Sequence, residues 1–223
     1  MTLRRAVKTV ALCGLLCWAA AEARAQQFDI GSGGLPTITG AVGGSVTGSA
    51  DVTDNLVVQV NFGEVSPINP NSVVRVVVPV SVRSTSPYQV TVSASGLFDS
   101  NPQAVQRADI GFGARNLRQL GSKARDCNSP HAFRAPFAND PAGALTFDAN
   151  GRAAYPSSLE SLGASAVILS GPPLTRGNSV SKKEPDNGYV FDAVFVIKPQ
   201  FFAAGYFSVM LTFNISAGPN VPC

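Results

Sequence analysis

The stretch VRVVVPVSVRSTSPYQVTVSA, residues 74–94, decides the fold. Val74, Val76, Val78, Val80 and Val82 fall on one side of an extended chain, and Arg75, Ser81 and Arg83 on the other. Successive side chains of a strand point to opposite faces, so this phase buries the valines and leaves the alternate set in water. Ser84-Thr85-Ser86-Pro87 interrupts the run as a turn, after which Tyr88, Val90, Val92 and Ala94 alternate with Gln89, Thr91 and Ser93. A helix would instead place apolar residues three and four apart. Pro79 has no amide donor, which predicts a bulge or a sheet edge within the valine strand.

The same rhythm recurs along the chain. Leu56, Val58, Val60 and Phe62 alternate with Asn55, Gln59 and Asn61; Ile110 and Phe112 mark a shorter strand; Ala164–Ser170 reads as another. Asn187-Gly188 opens Tyr189–Lys198, apolar on both faces except for Asp192, which is the pattern of a central strand. Phe207, Val209, Leu211, Phe213 and Ile215 alternate with Ser208, Thr212 and Asn214. About seven such strands separated by turn residues predict an all-β, antiparallel two-sheet sandwich, with a barrel as the alternative. Ser100–Ser161 is the least regular region, a loop-rich excursion holding Cys127, the sole His131 and the turn Asp148-Ala149-Asn150-Gly151.

The chain begins as an export signal does. Arg4, Arg5 and Lys8 precede an apolar stretch from Val10 to Ala21, and Ala23-Arg24-Ala25 offers the small residues a signal peptidase accepts. Residues 1–25 are therefore expected to leave, with no membrane span afterwards, and the rest to be secreted or held in the cell envelope, in the periplasm or on the outer surface. The leader takes Arg4, Arg5, Lys8 and Arg24 of 17 basic residues and Glu22 of 14 acidic ones, leaving 13 of each sign. A formally neutral remainder offers no electrostatic footprint for nucleic acid and little repulsion against self-association. Cys127 and Cys223 survive the cleavage; in an oxidising compartment they read as one disulfide, within the chain or between chains through the terminal Cys223.

The expected division is a signal peptide (1–25), a glycine-rich strand-like segment (26–54) and a β-sandwich domain (55–223). Within the middle segment, Ile38, Gly40, Val42, Gly44, Val46, Gly48, Ala50 and Val52 hold one phase, and a mostly polar set from Thr37 to Thr53 holds the other. Glycine gives such a strand little stiffness of its own, so it needs a sheet edge to dock on, in its own domain or in a neighbour.

That pattern, with Asn61-Phe62-Gly63-Glu64-Val65 after the first strand and Lys198-Pro199-Gln200 leading through Ala203-Ala204-Gly205-Tyr206-Phe207-Ser208 into Met210–Ile215, resembles the secreted pilin-like β-sandwich subunits of bacteria, of the spore-coat-U and chaperone–usher kinds. The resemblance implies an immunoglobulin-like fold completed by a strand from the next subunit. Main-chain bonds then supply affinity and alternate side chains supply register. It makes Thr37–Thr53 the candidate donor strand, with Ile38, Val42 and Val46 as its groove-filling side chains.

No catalytic or cofactor-binding constellation stands out. A serine hydrolase needs a base, and His131 lies in Ser129-Pro130-His131 with no Gly-x-Ser-x-Gly turn in the chain; it reads as a solvent-exposed or turn-capping histidine. Zinc ligands do not cluster. Asp148 with Asn150, or Asp51 with Asp54, offer oxygens for calcium, although Asp-Ala-Asn-Gly reads better as a hairpin turn. Phe201 and Phe202 are either core or an exposed sugar-stacking patch. The expectation is a non-enzymatic structural or adhesive cell-surface subunit with a protein partner, another copy of itself included. The alternative is a monomeric ligand- or carbohydrate-binding module using the Ser100–Ser161 loops.

Overall fold

The computed structural model of the chain describes residues 27–40, 44–52, 55–65, 73–96, 104–178, 180, 186–200 and 205–223, with backbone alone for 48–52, 64–65 and 205–206. The leader, Val42, Asp54, Phe201 and Phe202 lie outside the described residues. The described chain is all-β, an antiparallel two-sheet sandwich. Sheet I contains β1 (Phe28–Ser32), β2 (Thr37–Thr39), β5 (Val74–Ser84), β7 (Ile110–Gln119) and β12 (Tyr189–Ile197), in the order β1-β5-β12-β7 with β2 also on β5. Sheet II runs β3-β4-β13-β6-β11-β8, from β3 (Ser45–Val52), β4 (Asn55–Val65), β6 (Tyr88–Ser95), β8 (Ala132–Phe133), β11 (Ala166–Gly171) and β13 (Gly205–Ala217). A small hairpin, β9 (Thr146–Phe147) with β10 (Ala153–Ala154), stands apart. From β4 to β7, and again from β11 to β13, each successive strand lies in the opposite sheet, the immunoglobulin-like habit that interleaves the two layers.

Alternation builds the core. The five valines of β5 face inward beside Phe191, Phe195 and Phe112, and meet Leu56, Val58, Val90, Leu211 and Phe213 from sheet II, all at most 3% exposed. β12 sits between β5 and β7, as its two apolar faces require. Its outward Val194 and Val196 are fully buried, because the irregular region between β7 and β11 lies over them. Val194 stands opposite Gly113 and Val196 opposite Gly111. A Cβ on Gly113 would collide with the Asn139 carbonyl, so the excursion approaches the sheet at backbone distance. Arg75 and Arg115 hold it there through Asp140.

The same excursion closes the outer edge of β7. Ala114 N–H donates to the Phe137 carbonyl at 2.8 Å, Phe112 N–H to the Ser157 carbonyl at 3.1 Å, and Leu159 N–H to the Ile110 carbonyl at 2.9 Å. β7 itself runs ten residues, longer than Ile110 and Phe112 alone announce, since glycines at 111 and 113 replace the side chains that would have shown the alternation. Its path bulges opposite Val190–Asp192, where Asn116 takes φ 56°. There Asn116 and Arg118 both donate to the Asp192 carboxylate, at 2.9 and 3.0 Å.

The packing of the excursion makes a direct prediction. Gly113→Ala forces Asn139 off the sheet and should lower the unfolding free energy by about 1–3 kcal/mol in denaturant titrations. Gly143→Ala, which meets only the Asp140 carbonyl at 3.7 Å, should stay within about 0.5 kcal/mol of the parent.

Candidate functional site

The residues with functional potential gather in two places: the N-terminal ribbon along β5 and β4, and the end of the sandwich that carries the disulfide. In the ribbon, β1 runs antiparallel to the second half of β5, with Asp29 opposite Arg83 and Ile30 opposite Val82. The Asp29 carboxylate accepts from Arg83 at 2.9 Å, with side chains 2% and 9% exposed. Ile30 is fully buried in the core. Arg83 and Ser81, expected on a wet face, are therefore buried instead. Asp29 and the close backbone of Gly188, where a Cβ would sit 2.7 Å from Arg83 Cγ, cover the guanidinium stem.

The ribbon then breaks opposite Pro79. Gly33 N–H donates to the Pro79 carbonyl at 2.9 Å, and Thr85 N–H to the Gln27 carbonyl at 3.0 Å. In an antiparallel ladder the N–H and C=O of one residue point the same way, so the donor that Pro79 lacks would have faced the ribbon. β5 is thus an interior strand, and the expected irregularity falls on its neighbour: the ribbon leaves the ladder between Ser32 and Thr37. A side chain at Gly33 would strike Val190, while Leu35 at the crest of the break is 90% exposed. The ladder resumes at β2, where Ile38 stands opposite Val76.

Of the candidate donor side chains, Ile38 lies on β2 and Val46 on β3, opposite Val60 of β4. Both are half-buried and pack against the core. The described parts of Thr37–Thr53 thus divide between the two sheets, joined past Gly40 at φ 76°. Asp29, Ile30 and Arg83 were not anticipated as site residues. The only sequence signal for β1 is Phe28 alternating with Ile30, too short to separate from background.

At the other place, Cys127 and Cys223 form a disulfide within the chain, Cα atoms 4.7 Å apart and 96 residues distant in sequence. His131 is neither exposed nor a turn cap. It is half-buried between two tyrosines, with ring centroids 5.9 Å from Tyr88 and 4.9 Å from Tyr189. Nδ1 lies 3.2 Å from Tyr88 Oη, and a side chain on Gly171 would occupy the ring's place. Tyr189 Oη donates to the Arg125 carbonyl at 2.9 Å. Burial pushes the His131 imidazole below its usual value, opposed by Asp126, and pushes the Tyr88 phenol well up. These partners come from β6, β11 and β12, far apart in sequence, which is why the loop position of His131 misled.

The calcium candidates resolve differently. Asp148 Oδ1 accepts from the N–H of Asn150 and of Arg152, each at 2.8 Å, so the carboxylate closes the β9–β10 hairpin. The Asp51 side chain, like Asp54, is outside the described residues. Among the described residues no group of three or more His, Cys, Asp or Glu converges as metal ligands, and no helix is long and apolar enough to cross a membrane. No protein family, no curated protein and no solved structure matches this chain.

Two measurements test this end of the molecule. Cys127→Ser should lower stability by about 2–4 kcal/mol, the usual range for a cross-link closing a long loop. His131 has a folded pKa below its unfolded value of about 6.5, so its contribution is full above that pH and is lost as pH falls towards the folded value. Denaturation midpoints should therefore drop between neutral and mildly acidic pH more steeply for the parent than for His131→Gln.

Proposed function

We propose that this chain is an exported structural or adhesive subunit of the cell surface, and that it assembles by passing its N-terminal ribbon to a neighbouring copy. The observation that carries the proposal is the seating of the ribbon. β1, β2 and β3 each pair with a single strand, antiparallel, at an edge of one sheet. This is the geometry of an added strand, in which main-chain bonds hold and alternate side chains fill. Register on β5 is set by Ile30 in the core and by the Asp29–Arg83 ion pair, since a one-residue slip would turn both to the wrong face. Glycines between the strands let the ribbon leave one sheet and reach another without a long insertion. Exchange of an element that already fits its own chain costs few contacts, because each is remade in the neighbour.

Ile38, Val42 and Val46 serve in this reading as the second half of the transferred segment, with Ile30 and Asp29 as the first. The neutral charge balance after the leader favours close packing of copies, and the disulfide fits an oxidising compartment. The resemblance to pilin-like subunits points the same way. The function involves no catalytic step and no cofactor.

The buried ion pair supplies a test by complementation. Asp29→Arg and Arg83→Asp each leave an unmatched buried charge, which should cost about 3–5 kcal/mol and abolish SDS-resistant multimers in unboiled samples. Mixing the two variants during refolding should restore such multimers, because the arginine of one ribbon meets the aspartate of the other chain's β5. If the mixture stays deficient while the double variant Asp29→Arg/Arg83→Asp is a stable monomer, the ribbon serves only its own chain and the proposal fails.

A further inference from the structure

The two outer faces of the sandwich differ in kind. The outer face of sheet I carries Arg75, Arg115, Arg118 and Asp192 and is overlaid by the excursion. The strands of sheet II carry charge only towards their ends, at Asp51 of β3 and Glu64 of β4. Residues 45–50, 55–63, 88–96, 166–173 and 205–223 contain no Asp, Glu, Lys or Arg, although residues 26–223 hold thirteen charges of each sign. The outward positions are Ser, Thr, Asn and Gln with a few small apolar groups. One row across four strands reads Thr47, Gln59, Met210 and Ser95 in consecutive register. These side chains are half-buried or exposed, and Met210 is 44% exposed. Among the described residues the side chains of Gln59, Thr91, Ser93, Thr212 and Asn214 make no hydrogen bond to the chain, and Gln89 to Ser216 at 3.4 Å is the one side-chain pair across the rows. Charge also meets the sheet at its margins, where Arg134 donates to Ser170 at 3.1 Å and Arg107 to the Ala94 carbonyl at 3.4 Å.

We infer that the outer face of sheet II is an adsorption surface for a neutral, hydroxyl-rich polysaccharide. Charge selects the partner first: a face with no charge at its centre, and acidic groups alone at the ends of β3 and β4, gains nothing from an anionic polymer, and each ionised group brought to it would lose hydration without compensation. Composition selects next. Protein-binding patches concentrate Tyr, Trp, Phe, Met and Arg anchors, whereas this face has one methionine and neither an aromatic nor an arginine anchor at its centre. Its hydroxyls and amides each donate and accept, as the hydroxyls of a glycan do. Spacing serves the same end, since same-face groups recur about every 4.7–4.9 Å across strands and roughly every 6.8 Å along them. A polymer laid on that grid meets many weak contacts, and repetition along the chain raises retention without any strong single one. The inference rests on the adhesive reading above for its purpose, but the face belongs to a single chain and does not require ribbon exchange.

The test is retention on neutral glucans (dextran, amylose and microcrystalline cellulose) against carboxymethyl-dextran, at low and high salt. At least one neutral glucan should retain the protein with little dependence on salt, and the anionic polymer should not. Thr212→Lys and Thr91→Asp place a charge at the centre of the face and should each weaken retention about tenfold or more. Ala149→Lys, at the exposed turn between β9 and β10, should leave it unchanged. Circular dichroism and an unaltered SDS-resistant ladder in the Thr212 and Thr91 variants separate loss of adsorption from loss of fold or assembly. No retention on any neutral glucan overturns the inference. So does salt-sensitive preference for the anionic polymer, or a finding that the two variants lose self-association instead, which would make the face a contact between copies.

Discussion

The outer edge of β5 is the constraint on which the rest of this structure depends. The strand carries the five valines at the middle of the core, and one of its two backbone edges is taken by β12. The other edge presents amides that must find acceptors, since unpaired buried backbone groups are costly. The ribbon meets that demand in two pieces and departs only where Pro79 has no amide to offer. Asp29 then couples the backbone solution to a side-chain one, because its carboxylate neutralises Arg83 under the ribbon. In the assembly proposed above, folding and association would be two uses of one edge; whichever chain supplies the ribbon, the valine strand has to receive one.

A second demand comes from β12, whose side chains are apolar on both faces. Inward, Phe191, Ala193, Phe195 and Ile197 join the core; outward, Val194 and Val196 need a cover. The excursion provides it, and at the same time supplies acceptors and donors to the open edge of β7. A loop of this length, poor in regular structure, keeps its place through close backbone approach at Gly113 and through the shared Asp140 carboxylate. With sheet I covered and charged, sheet II is left as the more accessible side, uncharged at its centre and acidic only at the ends of β3 and β4. The proposed division of labour between an assembly edge and an adhesive face rests on that asymmetry.

Side-chain period carried most of the fold in readable form. The strands β4, β5, β6, β12 and β13 follow from alternation, the central place of β12 from its double apolar face, and the β9–β10 hairpin from Asp148–Gly151. What stayed hidden depends on partners remote in sequence. β1 offers one short alternation and no stiffness, so its seat on β5 is set by Arg83, more than fifty residues on. Glycines at 111 and 113 erase the alternation that would have shown the length of β7. Arg83 and Ser81 read as solvent-facing because nothing local reveals that a ribbon covers them. His131 looks like a loop residue until Tyr88 and Tyr189 close on it from two strands. The pairing of Cys127 with Cys223 was legible as arithmetic; its intrachain character was not, since it depends on where the last strand ends.

Amide hydrogen exchange along β5 tests the central claim most directly. The bonds from Thr85 to Gln27 and from Gly33 to Pro79 set a parity in which the amides of Ser81 and Arg83 face the ribbon and those of Val80 and Val82 face β12. The account predicts that all four are protected alike in the intact protein. Protection of Val80 and Val82 with rapid exchange at Ser81 and Arg83 would mean an open β5 edge, and would contradict it.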